Sequence, residues 1–299
     1  MKTVDQNQQE LQRKAATLIE ALPYMRKYAG ETFVIKYGGN AMVDSDLSRQ
    51  FAEDVVLMKQ VGINPVVIHG GGPQIGKMLD RLNLTSEFKN GLRVTDANTM
   101  EVAEMVLSGT INKGIVADIN AVGGNAVGLS GKDGSLITAK KYKPVIDGKA
   151  IDLGFVGEPA HINPDIVEQC IHSNMIPVIA PIAVDADGQT YNINADTMAG
   201  AIAGALKARR LYLLTDVPGV LSKDKELLSE LSENDVDELI KNGTIYGGMM
   251  PKVGTCLNAL RQGARAASIL DGRVMHAILL EIFTERGIGT IIRQDDQSV

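Results

Sequence analysis

Two short apolar runs in the first quarter of the chain break straight into glycine. They are Phe33-Val34-Ile35-Lys36-Tyr37-Gly38-Gly39-Asn40 and Val66-Val67-Ile68-His69-Gly70-Gly71-Gly72-Pro73. Each has the pattern of a strand buried on both faces, then a turn that needs backbone freedom, then a helix. Such turns aim backbone N–H groups and a helix N-terminus at an anion. With Lys36 at the end of the first strand, the pair points to a highly charged ligand, and phosphate is the obvious candidate. His69 reads as a structural residue at its strand end, with no catalytic role.

Two familiar nucleotide signatures do not fit. In GxGxxG, Gly70-x-Gly72 should be followed by a nearer glycine than Gly76, and no acidic residue closes a second strand at the expected distance. Gly71-Gly72-Pro73-Gln74-Ile75-Gly76-Lys77 matches GxxxxGK, but Met78 stands where Ser or Thr must ligate magnesium. Pro73 also removes a donor N–H from the supposed cradle. The P-loop is therefore excluded. The two cysteines, Cys170 and Cys256, and the four histidines have no metal-ligand spacing, so no protein-held metal is expected. So few cysteines fit a reducing cytoplasm.

The 299 residues suffice for one large α/β domain or two joined lobes. The net charge of −6, from 30 basic and 36 acidic residues without long blocks, argues against a broad nucleic-acid or membrane-surface partner. No apolar stretch reaches the roughly 20 residues of a membrane span. The polar N-terminus, Met1 to Glu10, lacks a signal-peptide core.

The elements that must position these residues follow from periodicity. Residues 8–22 predict an amphipathic helix with Leu11, Ala15, Leu18, Ile19 and Leu22 on one face and Pro23 as its stop. Pattern alone favours packing on its own domain; the alternative is an arm that meets another subunit. Helices are expected at 44–61, 73–82, 96–122, 164–173, 195–207, 234–242 and 251–263. Strands are expected at 33–36, 65–69, 126–129, 176–181, 211–216, 267–270 and 290–293. Asp147-Gly148 and Asp187-Gly188 are hairpin signals. The alternation predicts a mostly parallel, doubly wound sheet with inserted β-hairpins. The expected divisions are an N-terminal helix (1–25), a first lobe (26–183) and a second lobe (184–299).

Five motifs in chain order carry a resemblance. They are Ile35-Lys36-Tyr37-Gly38-Gly39-Asn40, His69-Gly70-Gly71-Gly72-Pro73, Gly91-Leu92-Arg93-Val94-Thr95, Asn192-Ile193-Asn194-Ala195-Asp196 and Gly248-Met249-Met250-Pro251-Lys252. Together they resemble the amino acid kinase family. Within it, the match is to the branch that uses ATP to phosphorylate the side-chain carboxylate of N-acetyl-L-glutamate in arginine biosynthesis. Each motif alone is weak, but five in register, over residues 30–293, are specific. The resemblance implies a three-layer αβα sandwich with an amino-acid lobe before an ATP lobe, and Mg²⁺ accompanying the nucleotide. It implies that Lys36 and Lys252 contact the transferring phosphoryl group while Asp196 holds both ammonium groups. Gly71, Gly72, Arg93 and Asn192 would serve the substrate, and Gly38, Gly39, Thr215, Asp216 and Gly219 the nucleotide.

The chemistry suits those residue types. Phosphoryl transfer needs alignment and charge stabilisation, which two compact cations supply. An interposed carboxylate offsets their repulsion. A carboxylate acceptor with a pKa of about 4.3 is already ionised at neutral pH, so no base is required. Arg93 offers a planar fork for a substrate carboxylate. Plainer readings remain open: Asp196 fits the first turn of helix 195–207, Asn192 and Asn194 fit a turn, and Lys36 fits a solvated rim. Lys252 at a helix start is misplaced for dipole compensation, which favours a functional role. Glutamate 5-kinase, carbamate kinase and a catalytically silent arginine sensor are the competing functions.

The N-terminal helix and the segment His276 to Thr290 also resemble the arginine-inhibited members of that branch. There, dimers interlace N-terminal helices into a homohexamer, a trimer of dimers, and arginine binds beside the helix. His276, Glu281, Gly287 and Gly289 are the corresponding inhibitor-site candidates.

Overall fold

The computed structural model describes residues 2–42, 44–89, 92–146 and 148–294. Gly91 of the third motif and Asp147 of the first hairpin signal lie outside them. Eight strands form one sheet, in the order Glu230–Ser232, Thr290–Arg293, Ala266–Asp271, Arg210–Thr215, Thr32–Tyr37, Asn64–His69, Ile176–Ala180 and Ala126–Ser130. Every neighbouring pair is parallel except Ala266–Asp271 with Thr290–Arg293. The glycine-ended strands lie side by side at the centre, in register from Thr32↔Asn64 to Tyr37↔His69. Their two turns therefore leave the sheet at the same edge.

Alternation along the central strands divides the interior into two cores, as the pleat requires. Phe33, Ile35 and Tyr37 face one side, against Phe51, Val55 and Met58 of helix Ser45–Gln60 and Ile75 and Leu79 of helix Gly72–Arg81. Val34, Val66 and Ile68 face the other, with Met198, Ala199 and Ile202 of helix Ala195–Ala205 and Val253 and Cys256 of helix Met249–Arg261. Because both faces are covered, Phe33, Val34 and Ile35 are all fully buried. The result is the three-layer α/β sandwich with a mostly parallel sheet.

Hairpin-like additions sit on this frame. Ile137–Lys141, Val156–Ile162, Ile182–Val184 and Thr190–Ile193 close into a small four-stranded barrel. Two short hairpins pair Phe88–Lys89 with Leu92–Arg93 and Val145–Ile146 with Lys149–Ala150.

Three elements differ from the periodicity. The N-terminal helix runs Lys2–Tyr28, straight through Pro23, instead of stopping there. Its apolar stripe does not pack on its own domain: Leu11, Leu18 and Ile19 are 58%, 65% and 67% exposed. Its C-terminal end is anchored, by Tyr24 packed on the core and by buried Tyr28 set edge-on to Phe33. The region 96–122 is three pieces, with a π-helical stretch Met105–Ile111 between Ala97–Glu104 and Asn112–Ala121. Residues 277–283, for which no element is expected, form helix Ala277–Phe283, buried through Ala277, Ile278 and Ile282.

Candidate active site

Hydrogen bonding joins the two glycine turns directly: Gly70 N–H donates to the Tyr37 carbonyl at 2.7 Å. A Cβ on Gly38 would meet Lys36 Nζ at 3.0 Å, so the absent side chain leaves room for that ammonium. Gly39 takes φ of 68°, the left-handed region where glycine is unstrained. Its face is covered by Asp216, whose Oδ1 would stand 2.8 Å from a Cβ. The stretch after strand 210–215 thus reaches the first turn. Thr215 Oγ1 accepts from the Val217 N–H at 3.1 Å and shapes that exit. Gly219 is buried against Thr290, whose Oγ1 would stand 2.5 Å from a Cβ, so its role there is close packing.

A cavity of about 270 Å³ opens between these turns and the small barrel. Lys36, Gly39, Gly71, Gly72, Arg93, Asn192 and Asp196 all line it. The helices Gly72–Arg81 and Ala195–Ala205 both begin at its wall, so their positive ends face one space. A second, larger cavity of about 810 Å³ shares Asp196 and is lined by Gly247, Gly248 and Lys252.

Asp196 sits where the two cavities meet. Lys36 Nζ lies 3.0 Å from its Oδ1 as an ion contact, and Lys252 Nζ hydrogen-bonds its Oδ2 at 3.2 Å. Lys36 comes from strand 32–37 and Lys252 from the first turn of helix 249–261, so the carboxylate ties two distant segments. Burial pushes the Asp196 carboxyl upward, but the two ammonium groups together outweigh it and hold it below the ordinary carboxylate range. Capping of helix 195–205 falls to Asn194, whose Oδ1 accepts from the Thr197 N–H at 3.0 Å. Asp196 is thereby left to the lysines.

Arg93 forms the opposite wall. Its Nη2 donates to the Gly72 carbonyl at 2.9 Å, Nη1 donates to Ser86 Oγ, and the guanidinium stacks 4.5 Å from the Phe88 ring centre. Burial pulls its pKa down, with Asp80 opposing. A fork held on one side presents its remaining donors to an anion. The arrangement as a whole is a cation-rich, partly desolvated cleft with glycine turns on one wall. It can hold an anionic acceptor on the Arg93 side and phosphate on the Lys36–Lys252 side.

The sequence model of the amino acid kinase family matches residues 31–271. The chain belongs to the amino acid kinase family. An acetylglutamate kinase of Novosphingobium aromaticivorans is 59% identical over 291 residues, covering 94% of this chain and 96% of its own length. Among solved structures, an N-acetylglutamate synthase from Neisseria gonorrhoeae complexed with coenzyme A and N-acetyl-glutamate superposes at TM-score 0.83 and 26% identity. The match covers 95% of this chain but only 64% of that longer one. The same synthase complexed with coenzyme A and L-arginine gives TM-score 0.79 at 25% identity, over 94% of this chain and 65% of its own.

The remaining candidates of this amino acid kinase family member lie elsewhere. His276, at φ of 54° just before helix 277–283, pairs its Nδ1 with Asp54 Oδ1 at 2.6 Å. Glu281 Oε2 accepts from the Ile288 N–H at 2.8 Å and the Gly289 N–H at 3.2 Å. Gly287, at φ of 61°, leaves the space that this carboxylate fills. Glu281, Gly287 and Gly289 therefore form one cluster, with His276 at the other end of the same helix. Sequence reading missed Ser86, for which no signal exists, and Asn112. The latter does have one, since it is a polar residue on the helical stripe of Ile115 and Ile119.

Proposed function

We propose that this protein uses ATP to phosphorylate the side-chain carboxylate of N-acetyl-L-glutamate, giving N-acetyl-L-glutamyl 5-phosphate in arginine biosynthesis. The observation that carries this reading is the Lys36–Asp196–Lys252 bridge at the junction of two cavities. It is supported by a 59% identical relative named acetylglutamate kinase. The residues 26–183 supply the amino-acid lobe and 184–299 the nucleotide lobe. The acceptor carboxylate is ionised at neutral pH, so it attacks the γ-phosphorus without a base. Arg93 and Asn192 hold the rest of the substrate, with Gly71 and Gly72 beside it. Lys36 and Lys252 follow the phosphoryl oxygens as the group passes to the acceptor and the β–γ bridging oxygen leaves with ADP carrying the negative charge, and Asp196 keeps their ammonium groups together.

Gly38, Gly39, Thr215 and Asp216 serve the nucleotide side, while Gly219 is given over to close packing against Thr290. Among the described residues no group of three or more His, Cys, Asp or Glu side chains could hold a metal ion by itself. Asp216, whose carboxylate covers Gly39 of the first turn, would be the residue to hold a Mg²⁺ that accompanies the nucleotide. When bound there, Mg²⁺ supplies neutralisation of phosphate charge.

Arginine inhibits the enzyme from a site at Glu281, Gly287 and Gly289, with His276 close by, and the protein assembles as a homohexamer through its N-terminal helices. The arginine-bound structural neighbour supports the first statement, and the exposed stripe Leu11, Leu18 and Ile19 supports the second. No described helix is long and apolar enough to cross a membrane, and the reading places the enzyme in the cytoplasm. A coupled assay of ADP release with N-acetyl-L-glutamate, glutamate and carbamate, with and without arginine, tests the proposal. Turnover with N-acetyl-L-glutamate alone, reduced by arginine, is the expected result; preference for glutamate or carbamate would overturn it.

A further inference from the structure

The glycine turn after strand 64–69 is braced from beneath by a buried histidine that the proposed chemistry does not use. His69 is fully buried, with Nδ1 2.8 Å from the Gly70 carbonyl oxygen and Nε2 3.3 Å from Asn112 Nδ2. Asn112 is buried too. Its Nδ2 also lies 2.9 Å from the Val178 carbonyl and 3.2 Å from the Leu129 carbonyl, while its Oδ1 accepts from Lys113 Nζ at 3.2 Å. Two carbonyls face the amide nitrogen and one ammonium faces the amide oxygen, which fixes the orientation of the group. The Gly70 carbonyl can only accept, so Nδ1 carries the ring proton and Nε2 is left as an acceptor towards the Asn112 amide nitrogen. Burial pushes the imidazole pKa down to about 4, so the ring stays neutral at physiological pH. The amide also needs its space, since a Cβ on Gly128 would stand 1.9 Å from Asn112 Oδ1.

The consequence falls on the next peptide. The Gly70–Gly71 bond is trans, and in a trans peptide the carbonyl and the following N–H point in opposite directions. A carbonyl drawn inward to His69 turns the Gly71 N–H away from the ring, on the side where Gly71 lines the cavity. Two adjacent glycines left to themselves sample both orientations of this peptide. We infer that His69 is a positioning residue for phosphoryl transfer: its ring holds the Gly70 carbonyl inward and so presents the Gly71 N–H to an anionic oxygen in the cleft, while Asn112 holds the ring. This rests on the cleft being the place of phosphoryl transfer. Donors fixed beforehand need no reorganisation when charge develops, which is where they are worth most.

Two variants separate the ring nitrogen from the ring volume. His69→Phe keeps the plate and removes both nitrogens, and His69→Gln restores a side-chain N–H. With ATP and N-acetyl-L-glutamate, His69→Phe should lower kcat by about 10- to 100-fold with KM for N-acetyl-L-glutamate within about twofold, and His69→Gln should recover part of the loss. Wild-type kcat in His69→Phe would overturn the inference. Should the variants fold poorly, NMR of the wild-type protein decides. Long-range proton–nitrogen correlations should show the ring proton on Nδ1, with no titration between about pH 8 and about pH 5. A proton on Nε2, or a ring that titrates near the free value of about 6.5, would overturn it. Inorganic pyrophosphate should shift the Gly71 amide resonance in the wild type. If the wild type turned over no substrate of the panel while the tautomer and the pyrophosphate shift held, the functional reading would fail and the aimed Gly71 N–H would stand.

Discussion

Asp196 carries a burden that its sequence position does not reveal. Its carboxylate, 17% exposed, sits between Lys36 and Lys252, which are 13% and 24% exposed. Removing the charge leaves two ammonium groups close together in a site with little water, where their repulsion is poorly screened. Asp196→Asn is expected to lower kcat about 100-fold or more, and Lys36→Ala and Lys252→Ala to do likewise, since each deletes charge stabilisation at the transferring group. Steady-state kinetics with circular dichroism check this; unchanged turnover in either lysine variant would remove that lysine from the mechanism. Because the folded carboxyl titrates below its ordinary value, its stabilising contribution is present above the unfolded pKa of about 3.9 and is lost as pH falls through the folded one.

At the scale of elements, a second ion contact couples helix 45–60 to the start of helix 277–283. Asp54 is 2% exposed and meets His276 Nδ1 at 2.6 Å. Burial raises the Asp54 pKa to about 6, with the His276 hydrogen bond and charge opposing. The folded protein therefore holds this proton over a range where the unfolded chain has lost it. The sign follows from linkage: stability attributable to Asp54 is full below about pH 4 and declines as pH rises towards 6 and beyond. Asp54→Asn keeps an acceptor for His276 and cannot ionise. Its urea midpoint should lose that decline, gaining on the order of 2–3 kcal/mol relative to wild type between about pH 4 and about pH 7. Parallel pH profiles for the two proteins would show that Asp54 ionises normally.

At the scale of the whole molecule, the unpacked N-terminal helix is the feature that a single chain leaves unexplained. Leu11, Leu18 and Ile19 form an exposed apolar stripe on a helix whose C-terminal end is anchored by Tyr24 and Tyr28. A strongly exposed stripe of this kind marks an interaction surface. Deleting residues 1–25 should reduce the proposed hexamer to a smaller assembly by light scattering and abolish the proposed arginine inhibition, while turnover stays within about twofold. A truncated protein that remained hexameric and arginine-sensitive would refute the assigned role of the helix.

By itself, the sequence determined those features that depend on neighbouring residues. The buried runs Phe33–Ile35 and Val66–Ile68, the glycines that end them and the order of the five motifs are local patterns. Local patterns fix strand, turn and helix because periodicity and backbone freedom act over a few residues. The failure of the P-loop match at Pro73 and Met78 is equally local. Only the tertiary structure decided which groups meet. Lys36, Asp196 and Lys252 lie far apart along the chain, and parallel strand order brings them together. The continuation of the first helix through Pro23, with its stripe left outside, also needed the fold. Propensity marks a break there, but only packing partners determine whether an apolar face is covered. His69 shows the same division. Its place at a strand end is plain in the sequence, yet its ring is held by Asn112, which is 43 residues away.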